Sequence, residues 1–233
     1  MTRETRSHPT RDGAESLAIG QEAATTFPVA LDGYTDLPPG KIANVVTFLE
    51  ITEPPPAPPP LPTGLAVERV AKPAAGWFRR LYRRIGEDWL WFSHAILPDS
   101  ELSALLWRQT TEVYVLRRRH DDEDIGLVEL DLSVPGEVEI VTFGVVPEVV
   151  GTGAAKVLLE TVLAHCFGSG AGRVWLHTCT FDHPGAVRFY RKHGFRGYKF
   201  AIEVSDDPRV TGHLPRQAAP HVVLLQQPGG ARP

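Results

Sequence analysis

The sequence predicts an α/β (α+β) fold with a mixed, mainly antiparallel sheet flanked by helices. Three observations support this fold class. Residues 112–118, 125–132 and 138–145 alternate apolar and polar side chains, which predicts an antiparallel meander. A glycine-rich turn then separates a strand from an apolar helix, so a β-α-β unit follows. The length of 233 residues suits one sizeable core better than two full domains.

The division of the chain follows from composition. Residues 1–38 hold few large apolar side chains and no sustained period, so we expect a tail without fixed structure. Residues 39–62 combine an extra strand (41–52) with a proline-rich run, which predicts a stiff extended tether rather than a ligand for another domain. Residues 63–233 form the expected main domain.

The main domain alternates between strand and helix patterns. Helical spacing of apolar residues, caps and glycine stops predict the helices, and period-two or β-branched runs predict the strands. Besides the meander, the expected elements are a strand at 65–70, helices at 74–85 and 99–109, a helix at 154–167, a strand at 173–180, a helix at 185–193 and a strand at 195–204. In the proline-rich last stretch, only 221–225 is apolar enough to pack, and we expect it to cover an edge.

Charge and cysteine content argue against several classes of protein. Lys plus Arg number 24 and Asp plus Glu 28, a net charge of −4, which disfavours nucleic acid or an anionic membrane as partner. No apolar run has the length of a signal peptide or a membrane span, so we expect a cytoplasmic protein. Cys166 and Cys179 form no disulfide framework and are best explained as buried small residues.

Metal and hydrolase sites are poorly supported. His177, Cys179, His183 and His193 match no zinc spacing, so we expect no metal. No Gly-x-Ser-x-Gly nucleophile turn is present.

The first motif with chemical content is the turn Val150-Gly-Thr-Gly-Ala-Ala155 before a helix. Glycines let the backbone approach a ligand, and the free N–H groups of a helix N-terminus attract an anion such as a pyrophosphate. The turn is neither a Walker loop nor a dinucleotide fingerprint, because no Gly-Lys-Ser/Thr follows and Lys156 replaces the third small residue. A helix start that merely needs glycine explains the same residues.

The second motif is the helix in Asp182–Phe195. Pro184 suits its first turn and Gly194 its end, and Ala186, Phe189, Tyr190 and His193 share one face. An aromatic stripe of this kind is also typical of ordinary core packing.

In this order, the two motifs resemble the GNAT superfamily of acyl-CoA-dependent N-acyltransferases, over about residues 65–205. The resemblance implies a sheet splayed at its middle to receive acetyl-CoA as cosubstrate. It also implies cofactor-binding residues on the strand, the turn and the helix: Phe143, Gly144, Val145, Val150, Gly151, Thr152, Gly153, Ala154, Ala155, His183 and Ala186. Val150 departs from the family's Arg or Gln, and His183 from its Asn.

The same resemblance assigns catalytic roles. Tyr190 would be the general acid that protonates the departing thiolate, and Glu139 the general base that deprotonates the amine. Glu129, Glu137 and Asp131 compete with Glu139 for that role.

The implied function is direct transfer of an acetyl group to a primary amine, most simply of a small molecule. Four aromatic residues in the region that walls the acceptor pocket of this family, Trp77, Trp89, Trp91 and Phe92, could cradle a cationic acceptor or pack beneath the helices. A protein lysine as acceptor and a non-catalytic acyl-CoA-binding module are the alternatives. Homodimers are frequent in the superfamily, and the strand at 41–52 could pair with its own sheet or with that of a neighbouring subunit.

Overall fold

The computed structural model describes residues 28–30 and 32–225. The predicted tail, residues 1–38, falls largely outside them. The chain divides into two units, Met1–Asp36 and Leu37–Pro233. The described residues of the first unit contain no helix or strand, and all elements below belong to the second.

The second unit is built on one seven-stranded sheet with the order β2-β3-β4-β5-β6-β1-β7. The parallel pair β5–β6 interrupts an otherwise antiparallel sheet, which confirms the predicted fold class. The strands and helices are β1 Lys41–Ile51, β2 Leu65–Arg69, α1 Ala75–Gly86, α2 Asp99–Leu106, β3 Thr111–Arg118, β4 Glu123–Asp131, β5 Glu137–Val145, α3 Ala154–Gly168, β6 Arg173–Cys179, α4 Ala186–Lys192 and β7 Arg196–Asp206.

Strand β1 lies inside the sheet, although the sequence predicted it as an extra strand ahead of the main domain. It pairs antiparallel with β6 on one side and β7 on the other. Its residues Leu49 and Ile51 are buried in the main core. The strand therefore belongs to the domain that follows the proline-rich run, because it satisfies the hydrogen-bonding edges of two later strands.

The proline-rich run, residues 54–62, is here called the proline strap. Pro54 and Pro55 line a groove with Phe167 near the end of α3. Pro58–Pro62 line a second groove, of about 390 Å³, with residues of the first half of α3 that include Val157. The strap thus follows the length of α3 and links β1 to β2 across one face of the sheet.

The helices cover both faces of the sheet. A side chain at Gly126 of β4 would meet Leu158 of α3, whereas one at Gly144 of β5 would meet Ile85 of α1. Helix α4 lies on the α3 face, where Phe189 stacks on Phe143 with ring centroids 5.9 Å apart. The α1 face and the α3 face therefore have separate sets of side chains on each strand, as the period of two requires.

The segment 207–225, here called the C-terminal strap, forms a second small cluster. Leu214, Ala218 and Ala219 pack with Leu90, which follows α1. The expectation that residues 221–225 pack was wrong in its main part, because Val223 and Leu225 are 76% and 72% exposed. Residues 214–219 of the strap pack instead, because the buried Arg209 side chain fixes this segment. Arg209 pairs with Asp207 at 2.7 Å and donates to the Val222 carbonyl at 2.7 Å.

No helix within residues 28–30 and 32–225 combines the length and the apolar character needed to cross a bilayer.

Candidate functional site

The central feature of the site is a slot between β5 and β6. The two strands pair from Glu137 with Arg173 to Ile140 with Leu176. Both strands continue, to Val145 and Cys179, but no further pairing joins them in the part of the chain that the structure describes. The backbone groups of β5 that face the slot are left available to an extended ligand, whereas on β6 the Cys179 N–H already donates to Asp182 Oδ2 at 2.8 Å.

Antiparallel pairing decides which groups of β5 face the slot. The Val146 N–H donates to the Ile125 carbonyl of β4 at 2.9 Å. Successive residues of an antiparallel strand direct their N–H groups to opposite sides, so those of Val145 and Phe143 point away from β4 and into the slot. The Gly144 N–H faces β4. On the α1 face, the absence of a side chain at Gly144 leaves space for the Trp91 ring, because a Cβ there would lie 3.1 Å from Trp91 Cη2.

The glycine-rich turn lies between the end of β5 and α3. Gly151 and Gly153 have φ angles of +82° and +95°, which glycine adopts without strain. A Cβ at either would meet nothing within 4 Å, and Gly153 caps α3 without a side-chain hydrogen bond. A 15-residue helix begins there, and the Ala154 N–H donates to Thr152 Oγ1 at 3.4 Å. The Ala155 N–H lies in the same first turn, which, with the helix dipole, suits an anionic group. Val150 at the turn is exposed and contributes no charge.

Tyr190 is buried beside the slot. Its ring lies 5.9 Å from that of Phe143, 5.4 Å from Phe189 and 5.7 Å from Phe195, measured between centroids. Burial, and next to it the negative charge of Asp182, raises the pKa of Tyr190 well above its ordinary value. The hydroxyl therefore stays protonated at neutral pH and can act as a donor. His183, by contrast, is exposed, and its Nδ1 accepts from the Gly185 N–H at 3.0 Å.

Glu139 lies on the α1 face with His177. Glu139 pairs in register with Trp175, and His177 follows two residues along β6 on the same face. His177 Nδ1 is 3.7 Å from Glu139 Oε1. The interaction with Glu139 raises the pKa of His177, against the opposing effect of burial. His177 was named in the sequence analysis only as a poor metal ligand, because nothing in the sequence places it opposite Glu139.

Two of the acids that competed with Glu139 are already engaged. Glu137 accepts a hydrogen bond from Arg173 at 2.8 Å. Glu129 is buried and accepts one from Thr142 at 3.0 Å. His94 Nε2 also lies 3.0 Å from Glu129 Oε2, without the alignment of a hydrogen bond. Glu139 is consequently better placed than either to exchange protons with a ligand.

Phe48 of β1 carries an aromatic cluster on the α1 face. Its ring lies 5.6 Å from His177, 6.3 Å from Trp175 and 6.0 Å from Tyr198. Lys199 Nζ sits 4.8 Å from the centroid of Phe48, so this ring already receives a primary ammonium. The sequence did not indicate Phe48 as a site residue, because β1 was predicted as an extra strand ahead of the main domain.

The four aromatic residues expected near the acceptor are mostly occupied by other contacts. The indole N–H of Trp77 donates to Asp124 at 2.9 Å, and that of Trp91 donates to Asp182 at 2.9 Å. Trp89 packs edge-on against His183, and Phe92 packs against the cluster of the C-terminal strap. These contacts favour a structural role for Trp77 and a wall of the site for Trp91.

Asp182 joins the parts of the site. Its Oδ2 accepts from Thr178 Oγ1 at 2.7 Å and from the Cys179 N–H at 2.8 Å, while Oδ1 accepts from Trp91. This carboxylate links the end of β6 to the segment after α1. Asp182 was named before only as the first residue of the second motif, because its contacts with Thr178 and Trp91 depend on the fold.

The two thiols are unsuited to covalent catalysis. Burial raises the pKa of Cys166 to about 12 and that of Cys179 to about 11. Both are therefore protonated at neutral pH, and a thiol attacks only as the thiolate. Among the residues that the structure describes, no three His, Cys, Asp or Glu side chains are grouped to hold a metal ion.

Comparison with known proteins identifies the family of this chain. The model of the acetyltransferase (GNAT) family matches residues 78–195, just over half of the chain. The chain belongs to the GNAT acetyltransferase family. The resemblance drawn from the glycine-rich turn and the Tyr190 helix is thereby confirmed.

Relatives within the family extend the comparison. Proteins named uncharacterized N-acetyltransferase from Mycobacterium bovis and Mycobacterium tuberculosis are 38% identical over 82 residues, which are 35% of this chain and 52% of theirs. The chain therefore spans about half the length of the curated relatives it matches.

Solved GNAT structures share the fold. A GCN5-related N-acetyltransferase from Sphaerobacter thermophilus matches 70% of this chain and 52% of its own, with 20% identity and a TM-score of 0.54. A putative GNAT-family acetyltransferase from Novosphingobium aromaticivorans matches 73% and 68%, with 18% identity and a TM-score of 0.50.

Proposed function

We propose that this GNAT protein transfers an acetyl group from acetyl-CoA to a primary amine, most simply that of a cationic small molecule. The observation that carries the proposal is the slot between β5 and β6, where pairing stops after Ile140 and Leu176. A slot of this kind accepts a linear ligand with alternating donors and acceptors, which is the character of a pantetheine arm.

The residues around the slot suit acetyl-CoA. The turn Val150–Ala155 offers backbone N–H groups to the pyrophosphate, and the N–H of Val145 offers a donor to the arm. Ala186 is small and only half-buried at the start of α4, and exposed His183 lies beside it. When bound, acetyl-CoA supplies the thioester that an amine attacks directly.

Two groups of the chain act on the thioester: one on its carbonyl oxygen and one on the departing thiolate. The Phe143 N–H points into the slot, where it can donate to a carbonyl oxygen that gains negative charge. Tyr190 packs against the Phe143 ring, and its raised pKa keeps the hydroxyl protonated, so a donor is present when the thiolate departs.

On the acceptor side, Glu139 and His177 take the proton. A primary amine is an ammonium at neutral pH and must lose a proton before it attacks. Glu139 attracts the ammonium, and His177, 3.7 Å away and half-exposed, connects the carboxylate to solvent.

Release of free CoA thiol tests the proposal. Acetyl-CoA is mixed with polyamines, aminoglycosides, amino acids and a lysine peptide, each compared with a reaction that lacks acceptor. Release that depends on a small amine supports the proposal. Release with the lysine peptide alone would assign a protein acceptor instead.

Val150 stands where the family has Arg or Gln, and this difference favours testing a second function, that of a non-catalytic acyl-CoA-binding module. Val150 gives no charged contact to a phosphate. A thermal shift with acetyl-CoA, together with no thiol release for any acceptor, would favour the binding module. If acetyl-CoA causes no thermal shift and no acceptor causes thiol release, both functions are contradicted.

A further inference from the structure

Strand β7 forms an open edge of the sheet. It is the last strand in the sheet order, and nine of its eleven residues are exposed. The strand contains no proline. Its outward backbone groups have no strand to pair with in the described part of the chain, and such an edge is a template for another strand.

One face of this edge is apolar. Phe200 and Ile202 are 74% and 56% exposed, and Val204 follows on the same face by the strand period of two. Exposed Val45 of β1 pairs with Ile202 and extends the surface by one strand. A contiguous apolar surface of this kind marks an interaction site.

The charges of β7 are self-complementary in one register. Suppose that two copies of β7 pair antiparallel about a two-fold axis at Ala201, so that residues equally far from Ala201 face each other. Lys199 then faces Glu203 of the partner subunit, once on each side of the axis. On the other face of the sheet, Phe200 meets Ile202 of the partner subunit.

Neighbouring registers lose this match. With the axis at Phe200, Lys199 faces Ala201 of the partner subunit. With the axis at Ile202, it faces Ser205 of the partner subunit. In both cases each ion pair across the axis disappears, so charge favours the register at Ala201.

A contact within the chain fixes the acidic side chain of the proposed pair. Asn44 Nδ2 donates to Glu203 Oε2 at 2.8 Å. Lys199 now lies over Phe48 of its own chain, a weak contact that an edge carboxylate can replace.

From the open edge, the apolar face and the charge pattern, we propose that the chain forms a symmetric homodimer through β7. The two copies pair antiparallel about Ala201 and continue the sheet through both subunits. A second copy of this chain is the occupant, because the edge complements itself. The proposal is independent of the proposed acyl transfer.

Charge reversal and charge exchange test the register. The full chain is studied by analytical ultracentrifugation over a concentration series, with Lys199→Glu, Glu203→Lys and the double variant. Each single change sets like charges opposite each other and should weaken dimerisation about tenfold. The double variant restores opposite charges and should recover dimerisation. Equal circular dichroism melting temperatures exclude misfolding, which matters for Glu203 because Asn44 donates to it.

A matched pair tests the apolar face. Phe200→Lys should make the protein monomeric, whereas Val223→Lys, at a residue that is 76% exposed in the C-terminal strap, should not.

Crosslinking tests the axis directly. In the proposed dimer the two copies of residue 201 face each other, so Ala201→Cys should form a disulfide-linked dimer under mild oxidation. The two copies of residue 205 lie about 27 Å apart, so Ser205→Cys should not. Wild type controls for Cys166 and Cys179, which are buried and partly buried.

Two outcomes would overturn the proposal. The first is a wild-type chain that stays monomeric over the whole series. The second is a dimer that none of the β7 changes weakens and that Ala201→Cys does not crosslink.

Discussion

Replacing Tyr190 by phenylalanine removes one oxygen atom from the wall of the slot. The ring would keep its contacts with Phe143, Phe189 and Phe195, which are all edge-to-face. The change therefore isolates the hydroxyl, which burial keeps protonated by raising its pKa. If that proton goes to the departing thiolate, Tyr190→Phe should lower turnover without disturbing how acetyl-CoA is held.

The expected size follows from these contacts. Loss of a positioned proton donor typically costs about a hundredfold or more in rate, so we expect kcat to fall by about that factor. The ring packing survives, and the free energy of unfolding should change by less than about 1 kcal/mol. The KM for acetyl-CoA should stay within about twofold, because the backbone donors that bind it are untouched.

Steady-state release of CoA thiol measures kcat and KM, and urea denaturation measures stability. Tyr114→Phe is the matched control, since Tyr114 and Tyr190 are each 8% exposed. The Tyr114 hydroxyl donates to Glu112 at 2.8 Å on β3, away from the slot. That variant should lose stability but keep its turnover number. An unchanged kcat for Tyr190→Phe, or an equal loss for both variants, would refute the assigned role.

Three further changes test other parts of the molecule. Glu139→Gln removes the carboxylate that raises the pKa of His177, so the acid limb of the kcat/KM profile should move to lower pH and the rate should fall by about a hundredfold. An unmoved limb, or an unchanged His177 titration by NMR, would contradict the pairing of Glu139 with His177. Val150→Arg should lower the KM for acetyl-CoA about fivefold by adding a charged donor at the turn, and an unchanged KM contradicts the placement of the pyrophosphate. Arg209→Met leaves Asp207 buried without its partner, so the free energy of unfolding measured in urea should fall by about 3 kcal/mol or more. Proteolysis of the C-terminal strap should become faster. Wild-type stability would contradict the anchoring role of Arg209.

Local patterns were sufficient to predict most elements of the fold. Period-two segments became β3, β4 and β5, and the helix with Pro184 before it and Gly194 after it became α4. These signals lie within a few residues of each other, so the sequence displays them directly.

The location of β1 was not predictable in the same way. Its strand character was clear, but its partners, β6 and β7, lie at the far end of the chain. No local pattern specifies such a pairing. The error carried into the site, since Phe48 could not be connected with Trp175 and His177.

The site residues that the sequence indicated are those in local motifs, and those that it did not indicate depend on distant contacts. Tyr190 and the glycine-rich turn belong to short motifs with fixed spacing. The opposition of Glu139 and His177 depends on the register of two strands. The buried tie between Arg209 and Asp207 was missed because neighbouring charges in a proline-rich segment usually stay in solvent.

The pairing of Lys41 with Asp206 has a consequence for how the chain reaches its native state. A ribosome delivers β1 first, yet neither of its neighbours exists until nearly the whole domain has been made. Contacts between such distant positions are slow to form, because a long loop must close before they contribute. Until then β1 exposes Val46, Leu49 and Ile51, which are buried in the native sheet. Closure of the sheet around β1 should therefore be a late step in folding, and the nascent chain should need protection from aggregation until β7 emerges.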